Sequence, residues 1–192
     1  MCELKLLLAS KAPRRRQLLS QLGYPVSFVD VDVDEVVPSG TPVDCIPAAL
    51  ALLKAKGYTL PLADDEVLVT ADTIVVHRGC VLGKPHDRQD AARMLHSLSG
   101  ARHTVYTGVC LKTASRQVVF TEKSDVVFRT LSEETIARYV DMGTCLDKAG
   151  AYGIQEWIGM VGVERIEGCY YNVVGLPLSR LYLELQRLIA KS

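Results

Sequence analysis

The chain predicts an α/β fold, and three observations carry that prediction. Apolar, strand-like runs alternate with segments of helical periodicity along the 192 residues. One run, Val67–Val76, is almost entirely apolar and β-branched, as in a buried central strand. His103–Lys112 and Gln117–Arg129 are strand-rich and read as a hairpin across Thr113–Arg116. The length suits one domain, residues 1–192, with two lobes as a variant of that plan.

The elements follow in order. Leu4–Ala9 is a short apolar strand. After Ser10–Ala12, Pro13 suits the first turn of a helix, where its missing N–H costs little. The helix runs through Arg14–Leu22 and stops at Gly23. A helix start loaded with Arg, after a strand and a tight loop, is a ready anion site: free N–H groups and guanidinium forks match phosphate oxygens. Three successive Arg cannot share one helix face, so at least one of Arg14, Arg15 and Arg16 is expected to face solvent.

Val26–Val33 reads as a second strand, with Asp30, Asp32 and Asp34 on one polar face and Glu35 pointing the other way if the strand continues. Pro38–Pro42 is a loop. Asp44–Tyr58 is helical, with Leu50, Leu52 and Leu53 inward and Lys54 and Lys56 available to a ligand or to water. His77–Cys80 is a turn, and Val81–Pro85 a short strand and sharp loop in which Gly83 permits close approach and Lys84 supplies a point charge. Asp87 caps a helix to Leu98, stopped by Ser99-Gly100. Ser132 caps Glu133–Met142. The glycine-rich Asp147–Gln155 segment allows its backbone to approach a ligand. Val161–Ile166 reads as a strand, Glu167–Asn172 as a turn, and Leu178–Ala190 as a closing helix with Leu181, Leu185 and Leu188 inward.

Asp72 stands out because it interrupts the buried run. An unpaired charge there is expensive, so a metal ion, a cationic partner or backbone donors must compensate it. Buried acids of this kind serve either structure or catalysis.

Composition removes several classes. The hydrophobic fraction of 48% is that of a globular chain. Lys plus Arg equals Asp plus Glu at 22 each, so no global basic field recruits nucleic acid, and a phosphate ligand must be held locally. Cys2, Cys45, Cys80, Cys110, Cys145 and Cys169 form no C-x-x-C pair and the histidines no H-E-x-x-H, which argues against zinc. The start, Met-Cys-Glu-Leu-Lys, lacks a signal-peptide layout, and no apolar run reaches membrane-spanning length. A reducing cytoplasm with free thiols fits these features.

Seven segments taken together resemble the Maf family of nucleoside triphosphate pyrophosphatases: Leu8–Arg15, Ala71–Thr73, Gly83–Pro85, Leu98–Gly100, His103–Gly108, Asp147–Gln155 and Asn172–Leu178. They stand in family order over nearly the whole chain. The resemblance implies a Maf/ITPase-like fold, with a mixed, elongated central sheet flanked by helices and two lobes around a cleft. It implies a divalent cation, Mg²⁺ or Mn²⁺, and a homodimer. Asp72 matches the family's catalytic proton acceptor, and Ser10, Arg14, Arg15, Glu35, Lys54, Lys84 and Lys148 match positions that hold substrate or metal. Two departures are Ala12, where the family usually has Ser, and Glu156, where it usually has Gly.

That assignment agrees with the residue types. Asp72 suits either a general base or a metal ligand, and Glu35 is the best second carboxylate for a metal. The Arg and Lys residues suit the charge that develops on phosphate oxygens. Arg14, Thr73 and Gln155 resemble the members that prefer dTTP and UTP, modified pyrimidines included. The members acting on 7-methyl-GTP carry an aromatic, a Gln and an acid there, a set that suits a cationic base. An amide such as Gln155 suits the neutral edge of uracil or thymine, where acceptors flank one N–H. Four other readings stand beside this one. They are a non-catalytic nucleotide-binding regulator of septum formation and cell-division arrest, a 7-methyl-GTP-type pyrophosphatase, a nucleic-acid module built on Arg14–Arg16, and a nucleotidyltransferase.

Overall fold

The structure, a computed structural model, describes residues 4–190; Cys2 and the rest of the first three residues lie outside it. Among the described residues seven strands are interspersed with helices, as the sequence predicts. They are β1 (Lys5–Ala9), β2 (Val26–Val29), β3 (Glu66–His77), β4 (Cys80–Leu82), β5 (Arg102–Lys112), β6 (Gln117–Phe128) and β7 (Val163–Glu167). The helices are α1 (Pro13–Ser20), α2 (Ile46–Gly57), α3 (Arg88–Leu98), α4 (Glu133–Asp141), α5 (Trp157–Gly162), α6 (Tyr170–Val174) and α7 (Leu178–Ile189). The sheet is mixed, with hydrogen-bonding order β2-β1-β3-β5-β6-β7 and β4 paired to β3. β1 runs parallel to β2 and β3, whereas β4 is antiparallel to β3 and β7 to β6. No helix among the described residues is long and apolar enough to cross a membrane.

The chain falls into two compact units. The first contains residues up to Asp72, Thr107–Glu122 and the stretch from Gly175; the second contains Thr73–Tyr106 and Lys123–Val174.

In the first unit, the β1 and β3 side chains Leu6, Leu8, Val67, Leu68 and Val69 are completely buried. Leu7, Ala9, Ala51, Ala55, Leu68 and Cys110 form one apolar cluster, against which Val29, Val31 and Tyr58 pack. α2 approaches β5 so closely that a Cβ on Gly108 would lie 2.1 Å from the carbonyl carbon of Pro47, which only glycine allows. Thr70 Oγ1 donates to the Ala51 carbonyl at 2.6 Å, so the buried hydroxyl fixes α2 along β3. α7 buries Leu178, Leu181, Leu185 and Leu188 at helical spacing, as its sequence predicts.

In the second unit, Val75, Val105 and Val126 form a small core with Leu82, Val163 and Val173. β3 and β4 join through Arg78 and Gly79, both with positive φ, a turn that matches the twist of a two-residue hairpin. Asp87 Oδ1 accepts from the Asp90 N–H at 2.7 Å and caps α3, and Ser132 caps α4 by accepting from the Thr135 N–H at 3.2 Å. Tyr152 packs edge to face with His103 and with Phe128, which are tilted against each other, and His103 Nε2 hydrogen-bonds the Tyr152 hydroxyl at 2.7 Å.

Three sequence expectations change. The second strand ends at Val29, not Val33; beyond it exposure still alternates, with Asp30, Asp32 and Asp34 exposed and Val31 packed inward. Trp157–Gly162 is a helix and β7 starts only at Val163. Gly159 allows this, since a Cβ there would lie 1.9 Å from the Ile154 carbonyl oxygen. Tyr170–Val174 is helical rather than part of a turn.

Candidate active site

The first unit builds its polar centre at the carboxyl ends of parallel strands. β1 has β2 on one side and β3 on the other, so the chain's winding reverses at β1. In open α/β sheets a crevice forms at such a reversal, beyond the strand ends. Ser10 follows the last residue of β1, and Asp72 lies two residues beyond Thr70, the β3 partner of Ala9.

Ser10 organises the start of α1. Its hydroxyl accepts from the Ala12 N–H at 3.3 Å and lies 3.5 Å from Arg15 Nη1, and its carbonyl accepts from Arg16 Nε at 3.2 Å. Ala12 stands at the N-cap and offers no side-chain acceptor to the helix. Of the three arginines, Arg15 is the one turned inward, at 7% exposure, with Nε donating to the Gly175 carbonyl at 2.8 Å. Burial pushes its pKa down to about 10 and Arg14 adds to that, while Asp72 and Glu35 oppose it, so the guanidinium keeps its charge at neutral pH. Arg14 and Arg16 are half-buried, and Arg16 lies over the Phe28 ring, 4.8 Å from its centroid. None of the three is therefore fully given to solvent.

Asp72 has the cationic partner that its burial demands. Lys54 Nζ, from α2, donates to Asp72 Oδ1 at 2.6 Å and lies 3.1 Å from Glu35 Oε1. The Asp72 side chain is 14% exposed and that of Glu35 53%. Two carboxylates thus converge on one nitrogen, the first nearly enclosed and the second open. No group of three or more His, Cys, Asp and Glu side chains that could hold a metal occurs among the described residues. Two carboxylates are the protein share that a Mg²⁺ or Mn²⁺ ion takes when phosphate oxygens and waters complete its shell. Glu35 and Asp72 fit such an ion.

In the second unit the remaining candidates lie on β3 and two loops. Thr73 follows Asp72 on β3. Lys84 is exposed, and the carbonyl of the preceding Gly83 accepts from the Gly150 N–H at 3.0 Å, which ties the Lys84 loop to the Asp147–Gln155 segment. Lys148 is nearly buried. Its Nζ donates to the Thr144 carbonyl at 2.5 Å and to Asp147 Oδ1 at 2.6 Å, and lies 2.8 Å from Glu156 Oε1. An ammonium has three protons, and these three acceptors take them all. Glu156 also accepts from the Thr144 hydroxyl at 2.8 Å and from the Tyr139 hydroxyl. Gly153 leaves room for this pair: a Cβ there would meet both Glu156 Cδ and Lys148 Cε at 2.9 Å and would push the two side chains aside. Gln155 Oε1 is buried and has no hydrogen-bond partner among the described residues.

The structure therefore joins Glu35, Lys54 and Asp72 in one cluster, brings Ser10 to Arg15, and links Lys148 to Glu156, the neighbour of Gln155. Tyr139 and Thr144 were not legible as partners. Their only sequence signals are an aromatic on the inner face of an amphipathic helix and a loop hydroxyl.

A mixed-sheet α/β protein with an acid–lysine cluster at the carboxyl ends of parallel strands is the class these features define. The chain belongs to the Maf family, described as Maf-like protein, whose sequence pattern matches residues 5–188. It is 51% identical over 186 residues to a protein of Bacteroides fragilis named dTTP/UTP pyrophosphatase, covering 96% of each chain. A protein of the same name from Bacteroides thetaiotaomicron is 50% identical, again with 96% of each chain covered. One from Flavobacterium johnsoniae is 41% identical, with 96% of this chain and 95% of that one covered. Among solved structures, the Staphylococcus aureus Ham1 protein aligns with a TM-score of 0.48 and 12% identity, over 65% of this chain and 71% of that one.

Proposed function

We propose that this protein hydrolyses dTTP and UTP, and modified pyrimidine triphosphates of the same shape, to the nucleoside monophosphate and pyrophosphate. The observation that carries the reading is the Glu35–Lys54–Asp72 cluster beside Ser10 and the α1 arginines. The names borne by relatives sharing half of its residues support the substrate.

In this reading water attacks the α-phosphorus, the bond from that phosphorus to the bridging oxygen breaks, and pyrophosphate leaves. Asp72 orients the water and receives its proton. A divalent ion held by Glu35 and Asp72 would acidify water and neutralise phosphate oxygens. Lys54 supplies the countercharge to Asp72 in its enclosed position. Ser10, Arg14, Arg15 and Lys84 bind the triphosphate, and Lys148 does so by giving up one of its three acceptors. Thr73 and Gln155 meet the base: the unpaired Oε1 of Gln155 accepts the ring N–H of uracil or thymine, which removes the cost of a buried acceptor left unpaired.

The chain is one domain in this reading, because each unit is assembled from separate stretches of sequence. It acts as a cytoplasmic homodimer on free nucleotides, not on nucleic acid or at a membrane, and nucleotide hydrolysis is its link to cell-division arrest.

The test is pyrophosphate release from UTP, dTTP, CTP and 7-methyl-GTP with Mg²⁺ or Mn²⁺, in the wild type and Asp72→Asn. Metal-dependent turnover of UTP and dTTP is expected, lowered about a thousandfold in Asp72→Asn while the nucleotide still binds. Cleavage of 7-methyl-GTP at least as fast as UTP would overturn the substrate assignment. Tight nucleotide binding without turnover in the wild type would overturn catalysis and favour the regulator.

A further inference from the structure

Gln155 lies in a turn whose two ends meet at one hydroxyl. The Glu156 N–H donates to the Gly153 carbonyl at 3.0 Å, which closes a four-residue turn with Gln155 in its third position. The Gly153 N–H donates to the Tyr139 hydroxyl at 3.1 Å, and that hydroxyl donates onward to Glu156 Oε2. Tyr139 is completely buried in α4 and so forms a fixed post. Burial raises its pKa first, and the Glu156 carboxylate raises it further, so the hydroxyl keeps its proton and stays a donor. Glu156 is in turn held by Lys148 at 2.8 Å and by the Thr144 hydroxyl at 2.8 Å.

We propose that Tyr139 and Glu156 are positioning residues that clamp both ends of the Gln155 turn and thereby set pyrimidine selectivity. The inference rests on the reading that Gln155 meets the base. An amide presents a carbonyl at one end and an NH₂ at the other. With its carbonyl toward the ring it pairs with uracil, whose ring nitrogen carries a proton. Turned over, it pairs equally well with cytosine, whose ring nitrogen accepts. Residue type alone therefore does not separate the two bases; a held side chain does. The clamp supplies rigidity to the backbone from which the amide projects, and no atom of Tyr139 or Glu156 needs to touch the nucleotide.

The experiment compares kcat/KM for UTP and CTP in the wild type, Tyr139→Phe, Glu156→Gln and Gln155→Ala, with thermal melts as a check on folding. Tyr139→Phe keeps the ring and removes only the shared hydroxyl. The UTP-to-CTP ratio is expected to fall about tenfold in that variant, the worth of one good hydrogen bond. Glu156→Gln keeps an acceptor for Tyr139 and is expected to retain more of the ratio. Gln155→Ala is expected to abolish the preference. A ratio that collapses in Gln155→Ala but is unchanged in Tyr139→Phe would overturn the clamp and leave the base reading intact. An equal loss for both nucleotides in Tyr139→Phe would also overturn it, since that is the signature of a purely structural role. Should Tyr139→Phe fail to fold, the same criteria apply to Glu156→Ala, which removes the acceptor at the other end of the clamp. An unchanged ratio in Gln155→Ala would overturn the base reading, and the clamp with it.

Discussion

Each unit holds a lysine between carboxylates, yet the two clusters are finished differently. Lys54 meets Asp72 and Glu35, and Glu35 is half exposed. Lys148 meets Asp147, Glu156 and the Thr144 carbonyl, and its side chain is 10% exposed. Among the described residues the first ammonium keeps a proton to give, and the second keeps none. A cation with unspent donors beside an open carboxylate is ready for a ligand, whereas a saturated one holds its loop together. The same three residue types thus leave a donor open in one place and, until a ligand displaces an acceptor, close a loop in the other.

The largest effect that would break this contrast is on turnover. Lys54→Met is expected to lower kcat for UTP at least a hundredfold, the usual cost of removing one preorganised charge from a reacting centre. If Lys148→Met lowers kcat as far while leaving stability alone, the two lysines are equivalent and the contrast fails. Stability is the second readout. Lys148→Met leaves the largely enclosed Glu156 without its countercharge and is expected to cost about 3 kcal/mol in urea unfolding. Lys54→Met is expected to cost a similar amount, because it leaves Asp72, 14% exposed, without its countercharge, so turnover rather than stability separates the two lysines.

The buried bases sharpen the contrast by a smaller amount. Burial lowers both, but Arg15 remains a cation at about 10, whereas His103 falls from 6.5 to about 4 and is neutral. His77 adds to the His103 shift, and Asp125 opposes it. Between those two values the unfolded chain binds the His103 proton and the folded chain does not, so stability falls as the pH drops through this window. The expected loss is about 2 kcal/mol between pH 7 and pH 5. Denaturant titrations at both pH values check it: the loss should shrink in His103→Phe, and an identical loss in that variant would show that other groups cause it.

Much of the fold was legible because the chain's local signals agree with one another. Pro13 and Asp87 mark helix starts where the structure has them, and the leucines of α7 face inward at the predicted spacing. α5 escaped because a six-residue helix with two glycines carries neither a cap nor a period. At the site, the sequence showed that Asp72 needed a partner but not which one. Lys54 is eighteen positions away, and the pairing depends on how α2 lies along β3. The Tyr139 post was hidden for a similar reason. A buried tyrosine looks like core until the atom that meets its hydroxyl is known.

The patchwork order of the two units has a consequence for how the chain is made. α7 belongs to the first unit, where Gln186 Nε2 donates to the Tyr24 hydroxyl at 2.7 Å, across 162 positions. β1 cannot pair with β3 until residues 66–70 have emerged, and Leu181, Leu185 and Leu188 arrive later still. During translation β1 and β3 therefore wait for α7, with apolar surface uncovered in the meantime. Such a chain completes its first unit only once α7 has emerged rather than stepwise before it, and its yield in a cell depends on what shields those segments during the wait.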